Sequence, residues 1–188
     1  MTEISSLQDH FLIAMPSLSD KYFSRSVTYI LEHSHEGAMG LIINQPSTMT
    51  FRELIEQTDD GIEVDTTISE KLILCGGPVH PDRGFVLHSH QDGWKSSLPV
   101  SDTVMVTTSK DILTAMSQSK GPDSTIVTLG YAAWEAGQLE QELQDNAWLT
   151  IPACNDIMFT TPIYKKWEEA VNKLGVDVWQ LTQQAGEA

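Results

Sequence analysis

Cys75 is the residue whose type and setting come nearest to catalysis. It ends an apolar run, 71–75, and is followed by Gly76, Gly77 and Pro78, with His80 and His88 further on. A thiolate with an imidazole in reach is a nucleophile, and two inward glycine amides would hold an oxyanion. The set is incomplete, because no further group is dictated to orient the base and the serine turns lack the G-x-S-x-G elbow. A free cysteine is more commonly a buried apolar residue. Metal binding draws on two His-Ser-His runs, His33/His35 and His88/His90, because residues i and i+2 of a strand face one side. Glu32, Glu36 and Asp92 stand close enough in sequence to add oxygen. Two-residue spacing lacks the specificity of H-E-x-x-H and dictates no third ligand. No metal and no cofactor are therefore assigned, and a hydrolase using His88 with Cys75 or a bound metal is kept as the second reading.

The other polar residues fit recognition better than turnover. Gly76-Gly77 and Gly130 follow apolar runs, yet neither turn matches G-x-x-x-x-G-K-[ST] or G-x-G-x-x-G and no lysine is placed for a γ-phosphate. They read as turn glycines. Asp82 and Arg83 stand in the bend before Gly84, where an arginine can anchor a carboxylate or phosphate. Tyr131 and Trp134 follow Gly130, at the strand end where ligands dock on open α/β sheets, although covering the core edge is the plainer role.

These residues need strands to hold them. Apolar and β-branched runs at 11–15, 26–33, 38–44, 71–75, 84–88, 102–107, 124–129 and 148–151 read as strands, the second and third forming a hairpin across 34–37. The bend 76–83 reads as a connection, and Pro46 and Gly130 as strand ends. Thr50 to Glu53 has the form of a capping box opening a helix with Phe51, Leu54 and Ile55 on one face. Ser109 caps a second helix, 134–143 reads as a third, and Ile163, Trp167, Ala170, Val171 and Leu174 define a fourth, ending at Gly175. Residues 17–25, 59–67 and 91–101 read as loops, 5–10 and 176–182 as helical turns.

With 188 residues, no linker and no internal repeat, the chain reads as one domain, 1–188, of the α/β (α+β) class with a mixed sheet. Eleven Lys and Arg against 26 Asp and Glu give a formal charge of −15. That field repels phosphates, so direct nucleic-acid binding is not expected. Two distant cysteines and the absence of a signal or membrane span lead to an expected cytoplasmic location.

Taken together, the blocks Glu36-Gly37-Ala38-Met39-Gly40-Leu41-Ile42-Ile43-Asn44, Gly76-Gly77-Pro78-Val79, Pro81-Asp82-Arg83-Gly84-Phe85-Val86-Leu87-His88, Leu129-Gly130-Tyr131-Ala132 and Asn146-Ala147-Trp148-Leu149 resemble the YqgE/AlgH family over nearly the full length. The resemblance implies a bent, bifurcated sheet forming a pseudo-barrel flanked by helices. It also implies an association with transcriptional regulation, which the charge directs toward a protein partner or small ligand rather than DNA. The expected recognition surface comprises Asn44, Gly76, Gly77, Pro78, Asp82, Arg83, Gly84, His88, Gly130, Tyr131, Trp134 and Gln138, with no catalytic residue assigned.

Overall fold

The computed structural model describes residues 5–59, 61–177 and 180. Among these the strands are β1 (His10–Ala14), β2 (Val27–Ser34), β3 (Gly37–Ile42), β4 (Pro46–Thr50), β5 (Leu72–Cys75), β6 (Val79–Ser89), β7 (Ser97–Pro99), β8 (Val104–Thr107), β9 (Thr125–Glu135) and β10 (Trp148–Pro152). The helices are α1 (Phe51–Thr58), α2 (Thr66–Ser69), α3 (Lys110–Ser117), α4 (Gln138–Gln144) and α5 (Lys166–Lys173). The strands join in one sheet in the order β10-β1-β2-β3-β9-β6-β8-β7, with β5 attached to β9 and β4 to β5. Every pairing is antiparallel except β5 with β9, and the sheet curls into a half-barrel.

The fork lies on β9. Its first part pairs with β6 from Thr125 to Tyr131, Thr128 and Leu129 also pair with β5, and Ala132 to Glu135 pair with β3. Gly130, at φ +78°, stands at the changeover. Opposite it, β6 carries a bulge: Gly84 faces Leu129 and Val79 faces Tyr131, so His80, Pro81, Asp82 and Arg83 lie over a single β9 residue. A bulge is where a strand tolerates a proline, which has no ladder N–H to offer.

Two apolar layers follow from strand alternation. Phe11, Ile13, Tyr29, Leu41, Leu87 and Ile126 pack inside the curl against Trp167, Ala170 and Val171 of α5. On the opposite face of β6 and β9, Val86 and Val127 meet Phe51 and Ile55 of α1 and Ile112 and Met116 of α3. The capping box at α1 forms as expected: Thr50 Oγ1 accepts from the Glu53 amide at 3.3 Å and Glu53 Oε2 accepts from the Thr50 amide at 2.7 Å. Ser109 occupies the N-cap of α3, but its hydroxyl donates to Asp111 instead of capping the helix amides.

Several boundaries move. Strand β9 continues past Gly130, so Trp134 belongs to a strand and α4 starts only at Gln138 after Gly137 (φ +77°). Residues 131–136 are rich in the helix formers Ala and Glu, yet Ala132 and Trp134 are buried while Ala133 and Glu135 are exposed, the alternation that pairing with β3 imposes. Pro46 opens β4 instead of closing β3, β6 begins inside the expected bend, and the expected loops at 59–67 and 91–101 reach into α2 and contain β7. The last amphipathic helix starts with a 3₁₀ turn, Ile163–Lys165, and the helical turn expected at 176–182 lies largely outside the described residues.

Candidate functional site

The β6 bulge and the aromatic residue facing it stand beside a cleft that combines apolar and charged side chains. Tyr131 stands next to the left-handed Gly130, and its ring meets Phe85 edge-on at 5.8 Å and stacks on His80 at 5.9 Å. The Arg83 guanidinium lies 5.4 Å from the Phe85 ring and 6.0 Å from that of Tyr131. This places a cation on an aromatic face at the rim of a cleft of about 320 Å³. Leu31, Met39, Phe85 and Val106 line the cleft, with Glu32 opposite in charge to Arg83. Leu98, on the edge strand β7, is 59% exposed at its lip. A second, shallower groove of about 520 Å³ shares Gln8, Glu32 and Met39 with the cleft and runs to His33 and Trp134.

The glycine loops do meet, but backbone to backbone. The Gly76 amide donates to Leu129 O and its carbonyl accepts from the Ile42 amide, both at 2.8 Å. A Cβ on Gly77 (φ +152°) would stand 2.2 Å from the Tyr131 carbonyl carbon, and one on Gly130 would stand 2.4 Å from Gly77 O. These glycines let the β5–β6 crossover press against β9. They form no concavity of their own, which corrects the expectation that they line the surface. Asn44 is likewise structural: its Oδ1 accepts from the Val27 amide at 2.8 Å and its Nδ2 donates to Arg25 O at 2.9 Å. Pro78 is exposed beside the crossover.

His88 is buried, not displayed. Its Nδ1 faces Ser89 O at 2.8 Å, which requires the proton there, so Nε2 accepts from Thr107 Oγ1 at 2.7 Å, and the Ser97 hydroxyl follows at 2.6 Å from Thr107. Burial lowers the imidazole below its ordinary value, partly offset by the Ser89 contact. A hydroxyl donating to an imidazole is nucleophile geometry, but Thr107 is fully buried. Cys75 is not its partner. Cys75 pairs with Leu129 and His88 with Thr125, which puts them roughly 13 Å apart along β9 at about 3.3 Å per residue.

Neither His-Ser-His run presents two imidazoles together, because each straddles a strand end. His33 Nδ1 accepts from the Leu7 amide at 2.9 Å, so its Nε2 donates to Glu140 Oε1 at 2.7 Å, tying β2 to α4, whereas His35 is exposed in the turn. His90 is exposed and lies 3.6 Å from Asp92. Among the described residues no group of three or more His, Cys, Asp or Glu is placed to hold a metal.

Trp134 and Gln138 join a separate network. The Glu142 carboxylate accepts from Trp134 Nε1 at 2.9 Å, Trp148 Nε1 at 2.8 Å and Gln138 Nε2 at 3.0 Å. Asp82 and Gly84 open onto a third cavity, on the α3 side of β6. Of the expected surface, Arg83 lines the cleft, and the Tyr131 ring lies against its guanidinium without lining the cleft itself. Met39 and Leu98 were missed, and Glu32, named only as a possible metal ligand, lines the cleft instead; the signal for Leu98 was an aliphatic residue among the serines at 96, 97 and 101.

A family model described as AlgH-like matches residues 11–179. The chain belongs to the AlgH-like family. A UPF0301 protein of Thioalkalivibrio sulfidiphilus is 52% identical over 188 residues, covering all of both chains. A UPF0301 protein of Pseudoalteromonas translucida is 49% identical over 98% of this chain and 100% of its own. The solution structure of AlgH from Pseudomonas aeruginosa is similar over 100% of this chain and 99% of its own, with a TM-score of 0.81 and 44% identity. A crystal structure from Corynebacterium diphtheriae (TM-score 0.72, 19% identity, covering 96% and 94%) shares the AlgH-like fold. Among the described residues no helix is long and apolar enough to cross a membrane.

Proposed function

We propose that this AlgH-like chain is a non-enzymatic binding protein that acts in regulation through a protein partner, which it engages at the cleft between Arg83 and Leu98. One observation carries the reading: an apolar floor with an exposed leucine at its lip and opposite charges at its rim. Exposed apolar area ringed by polar groups marks interaction sites, and a methionine floor adapts to its occupant. The net charge of −15 opposes a direct grip on DNA, so any regulatory role runs through the partner.

The test is a photo-crosslinker placed in cells at Leu98 and, as a control, at Tyr164, which is 81% exposed and outside the cleft. A species captured from position 98 alone, and lost with Arg83→Glu, supports the proposal. Equal capture from both positions removes it. Turnover in a screen of ester, phosphate and nucleic-acid substrates, abolished by His88→Gln in a folded protein, would replace it with the hydrolase reading.

A further inference from the structure

The third cavity, about 170 Å³, lies between α1, α3 and the outer face of β6 and β9. It adjoins the cleft, sharing only Phe85 and Thr108 with it among the lining residues. Leu54, Val86, Leu113, Val127 and Leu129 give it an aliphatic lining. Engineered apolar cavities of about 150 Å³ stay dry and take up a molecule the size of benzene, so this one suits a group of a few carbon atoms rather than a drug-sized ligand.

Two charges of opposite sign stand among its lining residues. Asp82 comes from the β6 bulge and Lys110 from the first position of α3, and both are exposed. Among the described residues neither side chain has a hydrogen-bond or ion-pair partner, although the cavity brings them to one site. Thr108 adds an exposed hydroxyl there. The Thr58 hydroxyl donates back to Leu54 O and Ile55 O, leaving it able to accept.

We infer that this cavity binds a free aliphatic α-amino acid of leucine size, its ammonium toward Asp82, its carboxylate toward Lys110 and its side chain among the leucines and valines. The chemistry selects a zwitterion. A fatty acid would match Lys110 but set its carboxylate against Asp82, and an alkyl amine would reverse the mismatch. Only a ligand carrying both charges beside an apolar group satisfies all three features, each charge making a charge-assisted contact. Hydrogen bonds to charged groups are strong enough that losing one weakens binding about tenfold or more.

The experiment is an amide NMR titration of the full chain with leucine, 4-methylpentanoate and 3-methylbutylamine. Leucine is expected to give saturable shifts confined to residues around 54–58, 82–86, 107–113 and 127–129, with both analogues at least about tenfold weaker. Asp82→Asn and Lys110→Gln, both on the surface, are expected to weaken leucine by about the same factor while leaving the remaining spectrum unchanged. Leu113→Trp is expected to fill the cavity and abolish binding. The inference is overturned if leucine gives no saturable shift at millimolar concentration, if shifts fall instead on the residues that line the cleft alone, such as Leu31, Glu32, Met39 and Leu98, or if either analogue binds as tightly as leucine. Unchanged affinity in both surface variants overturns it equally, and those two variants serve even if Leu113→Trp does not fold.

Discussion

Replacing Lys166 with methionine should make the protein more stable at neutral pH. Lys166 is 2% exposed, sits at the start of α5, and its Nζ donates to Met158 O at 2.5 Å. Burial, with the charge of Lys71 adding to it, lowers the amine from 10.5 to about 8. In the unfolded chain the amine returns to its ordinary value. Below pH 8 it is charged in both states and the folded state bears the whole desolvation cost, roughly 3 kcal/mol at about 1.4 kcal/mol per pH unit. Methionine removes that cost and keeps most of the aliphatic packing. It also leaves the Met158 carbonyl without its donor, which costs about 1–2 kcal/mol. The net expectation at pH 7 is a gain of about 1–2 kcal/mol.

The pH dependence separates this account from simple repacking. Between pH 8 and the ordinary lysine value the unfolded chain holds a proton that the folded one has lost, so wild-type stability rises with pH. Lys71, lowered to about 8 by burial, acts in the same direction. The window closes near pH 10, where Tyr29 intervenes: burial and then Asp9 raise its phenol well above 10, so ionisation of the unfolded tyrosine begins to erode stability. From pH 8 to 9.5 the Lys166 contribution is about 2 kcal/mol, measurable by urea denaturation followed by tryptophan fluorescence. Lys166→Met should lose that part of the slope. A variant less stable than wild type at pH 7 with the slope intact would refute the reasoning.

Three further outcomes follow from the same geometry. Gly77→Ala forces a Cβ into the β9 backbone at a positive φ and should cost at least about 3 kcal/mol in urea denaturation, whereas Gly137→Ala, with open space around its Cβ, should cost only about 1 kcal/mol. Glu142→Ala strands two indole N–H groups and should destabilise by about 2–4 kcal/mol, with Glu142→Gln intermediate; equal effects would show that packing, not the carboxylate, matters. His88 has a lowered folded value, so its burial costs stability as pH falls through 6.5 and the unfolded imidazole gains a proton first. Thermal unfolding at pH 7 and pH 5 should show that loss in wild type and a smaller one in His88→Gln.

How much of this was legible in the sequence depended on the range of the interactions. The β2–β3 hairpin and the capping box at Thr50 are local, with partners at most 14 positions apart. The extension of β9 is not local: residues 131–136 prefer helix by composition, and only the long-range partner β3, nearly a hundred residues earlier, makes Ala132 and Trp134 alternate inward. The glycines misled for the same reason. Gly76-Gly77 and Gly130 resemble ligand turns, but what each leaves room for is the other's backbone. Arg83 and Tyr131 were visible as chemistry at a bend, whereas Leu98 gains its meaning only when a three-residue edge strand, β7, brings it beside Val106.

The β6 bulge explains how one short run can serve two sites. Adjacent residues of an extended chain point to opposite sides, and here Arg83 lines the cleft with Leu31 and Met39 while Asp82 lines the cavity with Leu113 and Val127. The two proposed sites are therefore separable by single substitutions one residue apart. Arg83→Glu should abolish capture at Leu98 and leave leucine titration unchanged, and Asp82→Asn should weaken leucine about tenfold and leave capture at Leu98 unchanged. A variant at either position that disturbs both readouts would mean that the bulge moves as a unit, coupling the small cavity to the partner surface through the backbone opposite Gly130.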